Sequence, residues 1–382
     1  GIFILILSFL LIPFALNAAG GIGAIHDGLP AEMFSFIAPT EITLFFITMV
    51  VLNGLISIVV QPHHMAVGGA GKQEIACRTG WTYGNFLKRI MTQGWAFIGV
   101  FAAFLYPGLE NENREMAFGL AVNNLLPAGL IGLMLASMAA AVMSSCDSFM
   151  VGGSALFTRN FYRKYLKKDG SDKHYLMVAR LSSLVVVIGG VAYAFWLDNV
   201  IQGILILWKF TAFFGVGFWM ALVWRRANRY GVFASVAAMA ICTIITGDLA
   251  SWSLDWGIAD QIALYLPVGI GVFIVASLLT PPEPEKQIDD FYTLLRTPVG
   301  EEDKLKEAGI HMILAGDNIQ QADPALPPLQ ERGHSLILVD LLSLREKFSF
   351  ARYRIDVTGF GLAWVFVGGL IGLGLFLAQI GA

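Results

Sequence analysis

Residues 126–148 read LPAGLIGLMLASMAAAVMSSCDS, and this stretch decides the fold. Two neighbouring rows, each made up of every fourth residue, consist of small residues. The first row is Gly132, Ala136, Ala140, Ser144, Ser148 and Gly152, and the second is Ser137, Ala141 and Ser145. In lipid, small residues let helix backbones approach closely, so that packing and interhelical hydrogen bonds hold a bundle together. The pattern therefore predicts a helix at the centre of a membrane bundle.

The composition of the chain excludes a soluble protein. Of its 382 residues, 56% are hydrophobic and only 14% are charged, whereas about a quarter of the residues in soluble domains are charged. The net charge of -3 gives no indication of a nucleic-acid partner, so we expect none. The sequence contains neither an ATP-binding phosphate loop nor a Gly-x-Ser-x-Gly nucleophile motif, so we do not expect an enzyme.

Nine apolar runs have about the 20 helical residues that a membrane crossing requires. They cover approximately residues 1–17, 41–60, 86–109, 126–157, 175–197, 200–224, 231–250, 261–279 and 355–380. Lys and Arg prefer cytoplasmic loops, and 23 of the 25 fall into alternate loops. The sequence therefore predicts an all-α polytopic protein of the cell (inner) membrane with about nine transmembrane helices. Loop 61–85 and segment 280–354 are predicted to be cytoplasmic.

Oxygen atoms near the end of the central helix form a candidate cation site. Ser144 and Ser145 follow Ala141 by three and four residues, which places both hydroxyls and the Ala141 carbonyl on one face. Hydroxyl and carbonyl oxygens suit a hard cation, although a partner segment must supply about half of the ligands. The alternative is that each hydroxyl bonds to the carbonyl four residues earlier.

Two charged residues within apolar spans are candidates for functional residues. A charge at bilayer depth costs on the order of 3 kcal/mol, so a retained charge needs a function or a partner. Asp147 lies close to the serine face and is either a coupling group or a paired structural carboxylate. Lys209 has the aromatic neighbours Trp208 and Phe210. It is either a functional cation or a side chain that snorkels to the outer interface.

Four stretches, in this order, resemble the sodium:solute symporter family, which includes sodium-coupled sugar, proline and monocarboxylate carriers. They are residues 69–74 (GAGKQE) with 78–80 (RTG), 126–130 (LPAGL) with 144–148 (SSCDS), 224–231 (WRRANRYG), and 290–292 (DFY) with 296–298 (RTP). Together they extend over about 230 residues and are specific for the family, but they say almost nothing about the substrate.

The resemblance implies a partial LeuT-like fold of two inverted five-helix repeats, with solute and sodium near mid-membrane. Residues 1–279 would hold helices resembling core helices five to ten plus two accessory helices, 280–354 a cytoplasmic segment, and 355–382 the final transmembrane helix. The family's sodium site joins the backbone of core helix one to an alanine carbonyl and two hydroxyls on helix eight, which match Ala141, Ser144 and Ser145.

Nothing in the chain resembles core helices one to four, and the chain opens directly in the apolar run GIFIL. We therefore expect that the N-terminal helices have been lost or that a separate chain supplies them. If neither holds, the chain cannot transport.

The resemblance also implies substrate-binding residues. Asn53 and Lys88 stand at positions similar to an asparagine and a lysine of the sugar carriers. Asn53-Gly54 in mid-span suggests local unwinding, although an interhelical hydrogen bond is the alternative. The alternative for Lys88 is a charge that only sets topology. Trp208 and Lys209 replace uncharged polar residues, and a cation there favours an anionic solute.

The sequence therefore predicts a symporter that moves a small polar or anionic solute by alternating access. The coupling ion is Na+, and the partners are the solute and the lipid bilayer. Two alternatives remain open. The chain is a non-transporting subunit that acts as a scaffold or sensor in a complex, or it is a carrier coupled to protons through Asp147.

Overall fold

The computed structural model describes residues 2–35, 42–69, 74–109, 111–197, 199–247, 253–296 and 354–379, together with Leu305 and Gly309. These residues form helices and no strands, which confirms the all-α prediction. In chain order the helices are α1 (Ile2–Ala19), α2 (Ile22–Gly28), α3 (Leu44–Ser57), α4 (Pro62–Gly69), α5 (Glu74–Leu105), α6 (Ala117–Leu125), α7 (Ala128–Leu156), α8 (Asp172–Trp196), α9 (Val200–Val223), α10 (Arg229–Thr246), α11 (Ile258–Leu279), α12 (Glu285–Arg296) and α13 (Arg354–Gln379). Helix α7 continues as a π-helix over Phe157–Leu166.

Seven helices in the described part of the chain are long and apolar enough to cross a membrane. They are α1, α7 with its π-helical extension, α8, α9, α10, α11 and α13. The predicted span 41–60 corresponds to the shorter apolar helix Leu44–Val60. The span 86–109 lies mostly in α5, whose polar first half includes Lys88 and Arg89. The polytopic architecture is therefore confirmed, while the count of nine stays a prediction.

The chain forms two compact units. Unit 1 comprises Gly1–Ala70, Tyr83–Thr211 and Ala363–Ala382, and unit 2 comprises Gly71–Thr82 and Ala212–Leu362. The three sequence regions predicted above stay predictions. Most of the predicted cytoplasmic segment 280–354 lies outside the described residues, which here include only 280–296, 305, 309 and 354.

In unit 1, α7 contacts α1, α4, α6 and α8. Met134 of α7 is fully buried in a cluster with Leu7 and Leu11 of α1 and Val122 of α6. The row of small residues on α7 is exposed from Gly132 through Ala136 and Ala140 to Ser144. The helix thus has neighbours on one side and an open small-residue face on another.

In unit 2, α10 and α11 form a closely packed pair. Ser235 of α10, fully buried, donates a hydrogen bond of 2.8 Å to the Gly269 carbonyl of α11. At Gly231, a Cβ atom would lie 3.0 Å from the Phe273 carbonyl oxygen. The helices therefore approach so closely at this end that only glycine fits without displacing backbone.

The connection between α9 and α10 is held by the buried Asn228. Its Oδ1 accepts from the Gly231 N–H at 2.9 Å and caps α10. Its Nδ2 donates to Thr280 Oγ1 at 2.8 Å and to the Pro281 carbonyl at 3.1 Å, just beyond α11. Arg226 also donates to the Thr280 carbonyl, at 2.8 Å. One side chain thus joins the start of α10 to the end of α11.

Helix α12 packs against the end of α9. The Tyr292 hydroxyl donates to the Ala221 carbonyl at 2.9 Å. The Arg225 guanidinium lies 5.0 Å from the centre of the Tyr292 ring and pairs with Asp289. Two of the four family-like stretches, 224–231 and 290–292, therefore meet in space.

Candidate functional site

The candidate sodium ligands lie together on α7. Ser145 Oγ donates to the Ala141 carbonyl at 3.1 Å, and Ser148 Oγ donates to the Ser144 carbonyl at 3.1 Å. The alternative of a hydroxyl bonded back along the helix is therefore observed at Ser145. A hydroxyl that donates in this way keeps its oxygen lone pairs available to an ion. The ligand assignment stays a prediction.

The face that carries these oxygens is open. Ser144 and Ser145 are exposed and Ala141 is half-buried. Asp147 is exposed as well. Within the described ranges, no three His, Cys, Asp or Glu side chains come together as a metal site. The candidate ligands, a carbonyl and two hydroxyls, are neutral oxygens of the kind that suits an alkali ion, and the face is accessible to the partner segment that a complete shell requires.

Helix α4 packs against α7 shortly after the serines. The His63 ring centre lies 4.1 Å from that of His64 and 4.4 Å from that of Phe149 on α7. Burial lowers the pKa of both histidines. The pKa of His63 is lowered further by His64. For His64, a hydrogen bond with the Ile58 backbone raises the pKa and the charge of Lys88 lowers it, but burial is the largest effect. The neutral form of both rings is thus favoured at the α4–α7 contact.

The histidine pair predicts a pH dependence of stability. A folded-state pKa below the ordinary value of about 6.5 means that the unfolded chain takes up protons first as pH falls. We therefore expect the contribution of this pair to thermal stability to be fully present above about pH 6.5 and to decrease as the pH falls toward the folded-state pKa values. His63→Gln should reduce this decrease, with His26→Gln on α2 as the matched control. Identical pH profiles for all three proteins would contradict the prediction.

Two of the candidate substrate residues meet within unit 1. Asn53 of α3 is only 2% exposed, and its Nδ2 donates to the Trp208 carbonyl of α9 at 3.3 Å. The Thr211 hydroxyl approaches the same carbonyl at 3.2 Å. Lys209 follows directly and is half-buried. The alternative for Asn53, an interhelical hydrogen bond, is thus what the structure contains, and its role toward a solute stays a prediction.

The local unwinding predicted at Asn53-Gly54 is wrong. Helix α3 continues through both residues and tightens into a 3-10 turn only at Ile58–Val60. The helix stays regular because the polar group at Asn53 is satisfied across the helix contact and needs no opened backbone.

Lys88 lies on α5, not on either of the two helices that carry Asn53 and Trp208. Its side chain is exposed on α5 and its charge acts on His64. Sequence reasoning did not identify Thr211, although a hydroxyl three and four residues after the carbonyls of Trp208 and Leu207 is the same signal that identified Ser145.

Comparisons with known proteins relate the sequence to membrane-transport proteins. A sequence profile described as "Sodium:solute symporter family" matches residues 3–238. The osmoregulated proline transporter OpuE of Bacillus subtilis is 28% identical over 225 residues, which cover 56% of this chain and 45% of that protein. The sodium/proline symporter of Escherichia coli is 28% identical over 182 residues, or 47% and 36% of the two chains. The human sodium/myo-inositol cotransporter is 29% identical over 227 residues, or 54% and 31%. The chain thus spans less than half the length of these relatives.

Proposed function

The chain belongs to the sodium:solute symporter family, and from that membership we propose that it is the sodium-binding part of a sodium-coupled carrier of a small solute. The observation that carries the proposal is the set of oxygens of Ala141, Ser144 and Ser145 on one open face of α7. In the proposal these three atoms hold Na+, and a segment from the rest of the carrier completes the shell. That segment belongs either to the same protein or to a separate chain.

Neutral ligands leave the charge of the ion free to respond to the membrane potential. A tenfold sodium gradient contributes about 1.4 kcal/mol, and 100 mV contributes about 2.3 kcal/mol. One Na+ per solute therefore supports roughly 500-fold accumulation of a neutral or zwitterionic solute. Alternating access, in which the bound ion and solute face each side in turn, uses this energy for uptake into the cell.

For the substrate class we favour a small solute with a carboxylate. Two of the relatives above are named for proline, which carries one, and one is named for myo-inositol, which does not. Lys209, next to the Asn53–Trp208 contact, supplies a cation for the carboxylate. Asn53, Trp208 and Lys88 stay candidates for further solute contacts.

Uptake into proteoliposomes containing the complete carrier tests the function. Labelled proline, myo-inositol and glucose are offered under a sodium gradient, under a choline gradient and under a proton gradient. We expect uptake of at least one solute that requires sodium. Uptake driven by protons and lost in Asp147→Asn would favour the proton-coupled alternative. Absence of uptake under every gradient would favour the scaffold or sensor alternative.

Lys209 provides a test of the substrate class. A charge-assisted hydrogen bond to a carboxylate contributes about 1.5–3 kcal/mol, so Lys209→Gln should raise the KM for a carboxylate solute at least about tenfold. The KM for a neutral solute should stay the same. Initial uptake rates measure both constants, with Lys286→Gln, an exposed lysine on α12, as the control. Equal KM values for the carboxylate solute in Lys209→Gln and the unaltered protein would exclude this role.

A further inference from the structure

The segment that joins α7 to α8 is strongly basic and is not explained by the proposed function. We call residues 157–175 the basic corner. It contains the π-helix Phe157–Leu166, a turn, and the first residues of α8. Six of its side chains are exposed cations: Arg159, Arg163, Lys164, Lys167, Lys168 and Lys173. Its acidic residues are Asp169 and Asp172.

The backbone of the basic corner is fixed by one tyrosine. The Tyr175 hydroxyl accepts from the Gly170 N–H at 2.8 Å and donates toward the carbonyls of Lys167 and Lys168, each at 2.8 Å. The Arg163 guanidinium lies 5.2 Å from the centre of the Tyr175 ring. These contacts hold the turn closed, so the cations are presented from a defined backbone rather than from a random loop.

The depth of the basic corner follows from α8. This helix has 25 residues and is therefore about 37 Å long, somewhat more than the hydrocarbon core of about 30 Å. A helix of this length that crosses the bilayer reaches the lipid headgroups at both ends. Tyr175 and His174 belong to its first turn, and the His174 ring lies 3.0 Å from the Tyr162 hydroxyl. The hydrogen bonds of these two side chains keep the turn and the π-helix at the same level.

Three aromatic rings of the π-helix form a continuous exposed surface beside the cations. The ring centres of Phe157 and Phe161 are 5.5 Å apart, and those of Phe161 and Tyr165 are 5.8 Å apart. The three residues are 42%, 49% and 67% exposed. Apolar rings next to basic side chains are typical of helices that lie at the boundary between acyl chains and headgroups.

We propose that the basic corner is a binding surface for anionic phospholipid. The aromatic rings contact the upper acyl chain, and Arg163, Lys164, Lys167 and Lys168 contact the phosphate and the acidic headgroup. Two observations select lipid as the partner. The exposed aromatic rings lie beside the exposed cations, and the charge of those cations is complementary to an anionic leaflet. An acidic soluble protein would match the charge but would not need the aromatic rings.

Spin-labelled lipids test the proposal without any transport measurement. The complete purified protein is placed in phosphatidylcholine vesicles with a trace of spin-labelled phosphatidylglycerol or phosphatidylcholine, and the immobilised fraction gives the relative association constant. At low salt we expect phosphatidylglycerol to be preferred at least about fivefold, since a single cation near the surface already contributes that factor. High salt should reduce the preference. Equal association of the two lipids would overturn the proposal.

Three variants, one of them a control, show where on the protein the lipid preference arises. Lys167→Gln with Lys168→Gln should remove most of it, whereas Lys286→Gln with Arg354→Gln removes the same charge from other exposed positions and should preserve it. Tyr175→Phe should weaken the preference without any change in charge, because the turn loses its hydroxyl. If the lysine pair at 167 and 168 and the control pair behave alike, the lipid binds elsewhere and the assignment to the basic corner is wrong.

Discussion

Sodium-stimulated uptake should fall to the background level when Ser144→Ala and Ser145→Ala are combined in the complete carrier. An alkali ion needs about six oxygen ligands. The double variant removes two hydroxyl ligands, and water does not replace them at fixed positions. Uptake measured against external sodium concentration should lose its sodium-dependent component. Both serines are exposed, so the variant should fold as well as the unaltered protein.

A matched control for this experiment lies on the same helix. Ser137 also bonds back along α7, donating to the Leu133 carbonyl at 2.7 Å, but it is outside the ligand set. Ser137→Ala should therefore keep its sodium dependence. A sodium response that persists in the double variant, or that is lost equally in Ser137→Ala, would mean that the ion binds elsewhere.

The largest loss of stability is expected at Asn228→Ala in unit 2. The side chain is buried, caps α10 and donates two hydrogen bonds to the residues after α11. Loss of a cap costs about 1 kcal/mol, and each lost partner in a buried network costs about the same. We expect about 2–4 kcal/mol in total, measured as a lower Tm of the purified protein.

Asn199 provides the comparison for Asn228. Its Oδ1 accepts from the Gln202 N–H at 2.8 Å in the first turn of α9. This is a cap without the further donor bonds described for Asn228, so Asn199→Ala should cost about 1 kcal/mol or less. Equal decreases in Tm for the two variants would show that the bonds from Asn228 to the end of α11 contribute little.

Much of the architecture could be predicted from residue pattern because membrane spans obey local rules. Apolar length and the absence of charge identified seven helices that the structure contains. The extent of helix α5 was harder to predict from the sequence, because its polar first half and its apolar second half form one continuous helix of 32 residues. The hydropathy of a window cannot show that a helix continues beyond its apolar part.

The candidate site was predictable only in part. The spacing of Ala141, Ser144 and Ser145 placed three oxygens on one face, because helical geometry alone sets that relation. The contact between Asn53 and the Trp208 carbonyl joins residues 155 positions apart. No local pattern encodes such a pairing, and it depends on how α3 and α9 pack. The same packing explains why the predicted unwinding at Asn53 does not occur.

The bond from the Tyr292 hydroxyl to the Ala221 carbonyl has a mechanical consequence. It attaches a short amphipathic helix to the terminus of α9, and the Arg225–Asp289 pair adds a second attachment. Because of these two attachments, a tilt of α9 would move α12 with it. A fluorophore on an exposed position of α12 would then report that movement of α9.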